Sequence, residues 1–382
     1  MIPFTKPTAG GSYDEMGSNA IHLALRDAGL DYSSVEQAYA GFVYGDSCSG
    51  QRVIYKAGMT GIPIVNVNNN CSTGSTALFL ARQAVQSGAA ECVLAVGFEQ
   101  MLPGALGEVF KDRVSPFADF DNLCGELVEE DLPLALRYFG GAGREHMRRY
   151  GTTLRDFARV RAKASRHAKN NPLSIFRDEI SEEEVLEAKM IWPGVMTRLM
   201  ACPPTCGAAA AIVISDKFAK RHGLNPGVRI AAQAMTTDTP ITFEARDMTQ
   251  LVGSDMTKRA ARAVYEQAGV GPEDIPVVEL HDCFAHNEVI TYEGLDLCPE
   301  GGAAQFIADG ANTYGGRVVT NPSGGLLSKG HPLGATGLAQ CYELTHQLRG
   351  TAGPRQVEGA RHGLQHNLGL GGACVVTLYE RA

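Results

Sequence analysis

The sequence predicts an α/β protein made of two similar halves and one inserted segment, and three observations carry that prediction. Residues 16–41 and 256–281 match at an offset of 240: Met16 pairs with Met256, Ala20 with Ala260, Ala28-Gly29 with Ala268-Gly269, and Val35 with Ile275. A second match runs at an offset of 260, where Gly74-Ser-Thr-Ala-Leu aligns with Gly334-Ala-Thr-Gly-Leu. Residues 112–196 break the α/β rhythm with denser charge and a Trp192-Pro193 step.

Each copy of the first repeat shows the apolar spacing of a helix, an Ala-Gly stop, a short acidic turn and a compact apolar strand. Each copy of the second places a Gly-containing turn before an Ala/Leu-rich helix, expected over 74–87 and 334–348. The 20 residues separating the offsets fall in the Gly- and Pro-containing stretch after Leu297, where insertion is tolerated. The expected division is 1–111 with 197–226 as the first half, 112–196 as an insertion of helices and loops, and 227–382 as the second half. The small-residue run 206–216 reads as an edge strand returning to the first core.

A chain of 382 residues can bury two such cores. Its 44 glycines cluster in short runs, as tight turns and close backbone approaches do. The net charge of −8 argues against a nucleic-acid partner, and no apolar run long enough for a membrane span appears. The opening MIPFTKPTAGG has no signal-peptide pattern, and the closing YERA is not a Ser-Lys-Leu address. The expectation is a cytoplasmic protein in a bacterium, or a peroxisomal one in a eukaryote. The ten cysteines form no CxxC pair and no zinc spacing, so they read as reduced thiols. Eight suit small buried hydrophobes; Cys71 and Cys283 call for more.

Cys71 lies in VNVNNNCSTGSTALFL, a strand–turn–helix pattern that can expose one reactive atom. Simple packing explains it equally well. The second offset aligns it with His331, in NPSGGLLSKGHPLGATG, where flanking glycine and proline fix a backbone suited to a base or to a capped turn. Two helix N-termini would then face one pocket and stabilise anions, with the pKa of Cys71 expected to fall. Cys283 follows an apolar strand in VVELHDCFAHNE, dense in titratable groups. A metal set from His281, Cys283 and His286 lacks a second ligand cluster, so no metal is expected. Gly369-Leu-Gly371-Gly372 has the wrong spacing for a dinucleotide loop.

NNNCSTGSTAL, HDCFAHNE, NPSGGLLSKGHPLGATG and QHNLGLGG together resemble the thiolase superfamily, and within it the sterol-carrier branch. The resemblance runs over nearly the whole chain. It implies a duplicated αβαβα layered sandwich with an inserted loop domain over the substrate. It further implies that Cys71 is the acylated nucleophile, His331 its base and Cys283 the acid/base thiol. His281, standing where common thiolases have asparagine, would help hold an oxyanion site, with support from His366, Asn367 and Gly369. Common thiolases carry a second cysteine in a C-terminal CxG motif; the matching segment here is His366-Asn367-Leu368-Gly369, without one. Family members also begin with a strand before the segment matching Ile2–Pro7; either this start is internal to a longer chain, or the first half is expected to be less stable, with exposed ladder groups.

The activity so implied is cleavage of 3-oxoacyl-CoA by coenzyme A, in fatty-acid or sterol side-chain β-oxidation, with no bound cofactor and a homodimeric chain. The basic stretch Arg155–Lys169 is either a contact for the CoA phosphates or a solvated helix face. Rival readings are an aldolase acting on steroid side-chain CoA esters, and a non-catalytic acyl-CoA-binding subunit.

Overall fold

Local sequence sets the repeat in place. Helix Tyr13–Ala28 begins beside Ser12, whose N–H is met by the Glu15 carboxylate, and stops at Gly29 with φ +66°. Its copy, helix Ser254–Ala268, stops at Gly269 with φ +67°. Glycine takes this left-handed turn at little cost, so the same residue ends both helices. A short 3-10 turn follows each, Tyr32–Ser34 and Pro272–Asp274, and leads into a strand.

The computed structural model describes every residue except Ala105, Leu106 and Glu108. Its strands are β1 Gln37–Gly41, β2 Ile64–Val67, β3 Cys92–Glu99, β4 Met190–Trp192, β5 Met196–Thr197, β6 Gly207–Ile214, β7 Val228–Thr236, β8 Val277–Glu279, β9 Val319–Thr320, β10 His362–Gly369 and β11 Ala373–Arg381. The first sheet runs β2-β1-β3-β6, the second β9-β8-β10-β11-β7, and β4 pairs with β5 as a separate hairpin. In both sheets the inner pairs are parallel, β1 with β2 and β3, β8 with β9 and β10. The next strand is antiparallel, β6 on β3 and β11 on β10.

The second sheet carries one strand more, β7 on β11. In the first sheet the outer side of β6 is met only at its start among the described residues, where Ile2 N donates to Ala208 O and Thr5 exchanges two bonds with Cys206.

Helices Thr73–Gln86 and Thr336–Arg349 form the middle layer and touch strands of both sheets. Helices Tyr13–Ala28 and Ser254–Ala268 cover the outer faces, which completes the αβαβα sandwich. Small residues let the middle helices lie between two sheets: Gly74, Ser75, Thr76, Ala77 and Ala81 are all buried. Gly74 and Gly334, partners at the 260 offset, meet where the two helix starts converge. A Cβ on Gly74 would stand 2.7 Å from Gly334 O, so neither half tolerates a side chain there.

Segment 112–196 contains helices Ala118–Leu127, Leu134–Tyr150, Leu154–Ala168 and Glu182–Glu187. It shares a hydrophobic core with the second half, joining Tyr138, Phe157 and Trp192 to Leu280, Phe284 and Leu326.

Candidate active site

Cys71 sits on the bend between β2 and helix Thr73–Gln86. Asn70 takes φ +50°, uncommon outside glycine. Thr73 holds the bend, its Oγ1 donating to Asn70 O at 2.6 Å and accepting from Asn69 N at 2.8 Å. The sulfur is 5% exposed and lies 3.5 Å from Asn70 Oδ1. Burial pushes the thiol up to about 12, and the Glu99 carboxylate adds to the rise. The expected fall in pKa is therefore corrected: burial of the thiolate outweighs the helix N-terminus.

His331 occupies the matching bend before helix Thr336–Arg349. Its backbone N–H donates to Thr205 Oγ1 at 3.1 Å, and its Nδ1 lies 2.7 Å from Thr336 Oγ1. Thr336 spends its proton on Pro332 O at 3.0 Å, so it accepts from His331. The ring proton is thus on Nδ1. Nε2 is left with its lone pair, buried and without a partner among the described residues. Burial, then Lys329, lowers the imidazole to about 3, so it rests neutral.

Two buried carboxylates hold the His331 segment. Glu279, at the end of β8, accepts from Ser323 Oγ at 2.8 Å and Lys329 Nζ at 3.2 Å. Glu99, at the end of β3, accepts from Val43 N, Tyr44 N and Gly334 N at 2.9–3.0 Å. The second of these clamps ties the His331 turn to the half that carries Cys71.

The turn after β8 brings in His281 and Cys283. Asp282 between them accepts from Leu326 N at 2.7 Å, which fastens the turn to the segment leading to His331. His281 Nδ1 faces Asn367 Nδ2 at 3.1 Å, and the same amide donates to Cys71 O at 3.1 Å. Burial first, then His331 and His366, keep His281 neutral. One nitrogen of His281, one of His331 and Cys71 Sγ lie within 4.8 Å of one another. The two rings meet edge to face with centroids 5.0 Å apart. Cys283 is 3% exposed. Burial drives its thiol well up, and Cys202 and Cys71 oppose its ionisation further.

The other expected residues play different parts. His366 supports backbone, its Nδ1 accepting from His281 N at 3.4 Å while Nε2 meets Thr257 Oγ1 at 3.0 Å. Gly369 permits close approach: a Cβ there would lie 2.2 Å from Asn69 O. His286 is spent on Val195 O at 2.8 Å and takes no part in the cluster.

Ser75, Glu99, Thr205, Thr336 and Cys202 escape sequence reasoning. Only the fold reveals them, because each is distant in sequence from, or ordinary beside, the group it touches. Cys202 N donates to Cys283 O at 2.9 Å. In the basic stretch Arg155–Lys169 most of the cations are engaged within the chain. Arg155 and Arg159 pair with Glu182, Lys169 with Glu179, and Lys163 with buried Glu288, while Arg161 donates to Ser328.

No helix among the described residues is long and apolar enough to cross a membrane. Residues 1–191 match the family description "Thiolase, N-terminal domain", and residues 237–379 match "Thiolase C-terminal domain-like". The chain is 54% identical over 385 residues to "Sterol carrier protein 2" of Rattus norvegicus, covering 100% of this chain and 70% of that protein. In fold it is similar to the "Ltp2-ChsH2(DUF35) aldolase", with TM-score 0.83, 24% identity and coverage of 99% and 96%. It is also similar to human mitochondrial 3-ketoacyl-CoA thiolase in complex with CoA, with TM-score 0.73, 17% identity and coverage of 100% and 96%. With both halves matched and a relative more than half identical over the whole of this chain, the chain belongs to the thiolase family.

Proposed function

We propose that the chain is an acyltransferase that cleaves 3-oxoacyl-CoA with coenzyme A through an acyl-enzyme on Cys71, in fatty-acid or sterol side-chain β-oxidation. The observation that carries this is the convergence of Cys71 Sγ and one nitrogen of each imidazole within 4.8 Å, with His331 Nε2 unpartnered among the described residues.

The resting pair is neutral, thiol and imidazole, because burial disfavours both ions. Proton transfer from Cys71 to His331 Nε2 therefore accompanies attack of sulfur on the 3-carbonyl. The carbonyl oxygen turns anionic within reach of His281, whose ring proton is left on Nε2 by the contact at Nδ1. The C2–C3 bond then breaks: the shortened acyl chain stays on Cys71, and a short acyl-CoA carrying C1 and C2 leaves as its enolate. Cys283 protonates that carbon. Its thiolate next takes the proton of an incoming CoA thiol, whose sulfur attacks the acyl carbon and expels Cys71, and His331 returns its proton to the freed sulfur. A thiol suits this shuttle because Cys71 is covalently occupied at that stage.

The aldolase rival shares the fold but does not need a sulfur nucleophile, whereas this chain keeps Cys71 beside a free base. Replacement of Cys71 by alanine separates them: the proposal requires loss of thiolysis of acetoacetyl-CoA and longer 3-oxoacyl-CoAs, and retained turnover ends it.

A homodimer is part of the proposal. The outer edge of β2 is unpaired among the described residues, and Met59 and Val65 beside it are 75% and 42% exposed. A second copy can cover both. The three-part division at 111, 196 and 226 remains a proposal, as does a bacterial cytoplasm or eukaryotic peroxisome as its compartment.

A further inference from the structure

Behind His281 lies a chain of buried polar groups whose directions are all determined. Gln365 Nε2 donates to Gly337 O and to Ser75 Oγ, each at 2.7 Å, while Gln365 Oε1 accepts from Tyr379 Oη. Ser75 Oγ has one proton and gives it to Asn367 Oδ1 at 2.8 Å. The Asn367 amide is thereby oriented, with its NH2 toward Cys71 O and His281 Nδ1, both at 3.1 Å. An NH2 group can only donate, so Nδ1 accepts and a neutral His281 holds its proton on Nε2. Ser75, Gln365, Asn367 and His281 are each at most 1% exposed, so water does not compete for these bonds. Gly337 leaves the room: a Cβ there would stand 2.2 Å from Ser75 Oγ.

We infer that Ser75 is a positioning residue that selects the tautomer of His281: by fixing the Asn367 amide it makes His281 an Nε2–H donor to the substrate carbonyl oxygen. Without the Ser75 hydroxyl, Asn367 Oδ1 loses its donor, and the amide is held only through its bond to Cys71 O, which it gives up when it turns. An oxygen facing His281 would draw the proton to Nδ1 and leave Nε2 a lone pair, which repels the developing oxyanion. The first half of the chain thus sets the protonation of a side chain in the second. This inference rests on the oxyanion role given to His281 in the proposed function.

The test reads the tautomer and the rate together. Two-bond 15N–1H correlation spectra of histidine-labelled protein identify His281 by the signal missing in His281→Asn. The native enzyme is expected to show His281 as a pure Nε2–H form, Ser75→Ala a mixture or the Nδ1–H form. Its kcat for thiolysis falls by about 10- to 100-fold with KM nearly unchanged. Asn367→Asp, which places a carboxylate oxygen against Nδ1, is expected to move the proton to Nδ1 outright, and it tests the relay if Ser75→Ala fails to fold. A pure Nε2–H signal in Ser75→Ala, an unchanged kcat there, or an unmoved proton in Asn367→Asp overturns the inference. Those results leave the proposed function standing if an acyl group is still found on Cys71; absence of that adduct in the native enzyme defeats the function instead.

Discussion

Thr336 Oγ1 lies 2.7 Å from His331 Nδ1 while giving its own proton to Pro332 O, so one hydroxyl decides which imidazole nitrogen is basic. Nε2 consequently carries the lone pair. Thr336→Val keeps the volume and removes the acceptor. Thiolysis kcat is expected to fall about 10- to 100-fold, with KM little changed, and Thr336→Ser should recover most of it. Steady-state kinetics on acetoacetyl-CoA check this.

Glu99 raises the Cys71 pKa and anchors Gly334 at 3.0 Å. In Glu99→Gln the like charge is gone, so Cys71 should ionise more readily. Inactivation by iodoacetamide at pH 8 is expected to quicken by about 3- to 10-fold, the equivalent of half to one pKa unit. Stability gives a second reading. Burial lifts the Glu99 carboxyl from 4.5 to about 7, so between those values the folded chain holds a proton that the unfolded chain has released. Its contribution is therefore present at acid pH and is lost as pH rises through about 7. Glu99→Gln should remove that slope from a denaturation series across pH.

What could be read in the sequence, and what could not, divides on physical grounds. The Ala-Gly stops at 29 and 269 were legible because a left-handed turn favours glycine, and both residues adopt it. Cys71 and His331 were legible as bends before helices. The rank of forces around them was not. The helix N-terminus can be seen in Gly74 and Thr76, but the burial that overrules it comes from chain remote in sequence. The partners of the Arg155–Lys169 stretch were hidden for the same reason: Glu182 and Glu183, which pair with Arg155, lie 27 and 28 residues away with no signal linking them. Helix Thr336–Arg349 begins later than expected because Pro332 and Gly334 shape a turn first.

Lys163 Nζ is buried against Glu288, Tyr292 Oη and Thr320 Oγ1, all on elements of the second half. Lys163→Met leaves the Glu288 carboxylate buried without its cation, held only by the Tyr292 and Thr320 hydroxyls, and stability is expected to fall by about 3–5 kcal/mol. Lys163→Met with Glu288→Met should recover much of the loss. Urea denaturation of the three proteins measures both effects.

Cys283 is assigned the proton at carbon. Cys283→Ala should therefore slow exchange of the acetyl-CoA methyl protons with deuterated water by about 10²- to 10⁴-fold, while the fold persists. Proton NMR of the acetyl group follows the exchange directly.

The most direct measurement is the mass of the Cys71 peptide after incubation with a 3-oxoacyl-CoA in the absence of free CoA, acid quench and digestion. An added acyl group of the shortened chain on Cys71, discharged when CoA is supplied, is the predicted result. Continued product formation with Cys71 unmodified, or with the acyl group on another residue, contradicts the account.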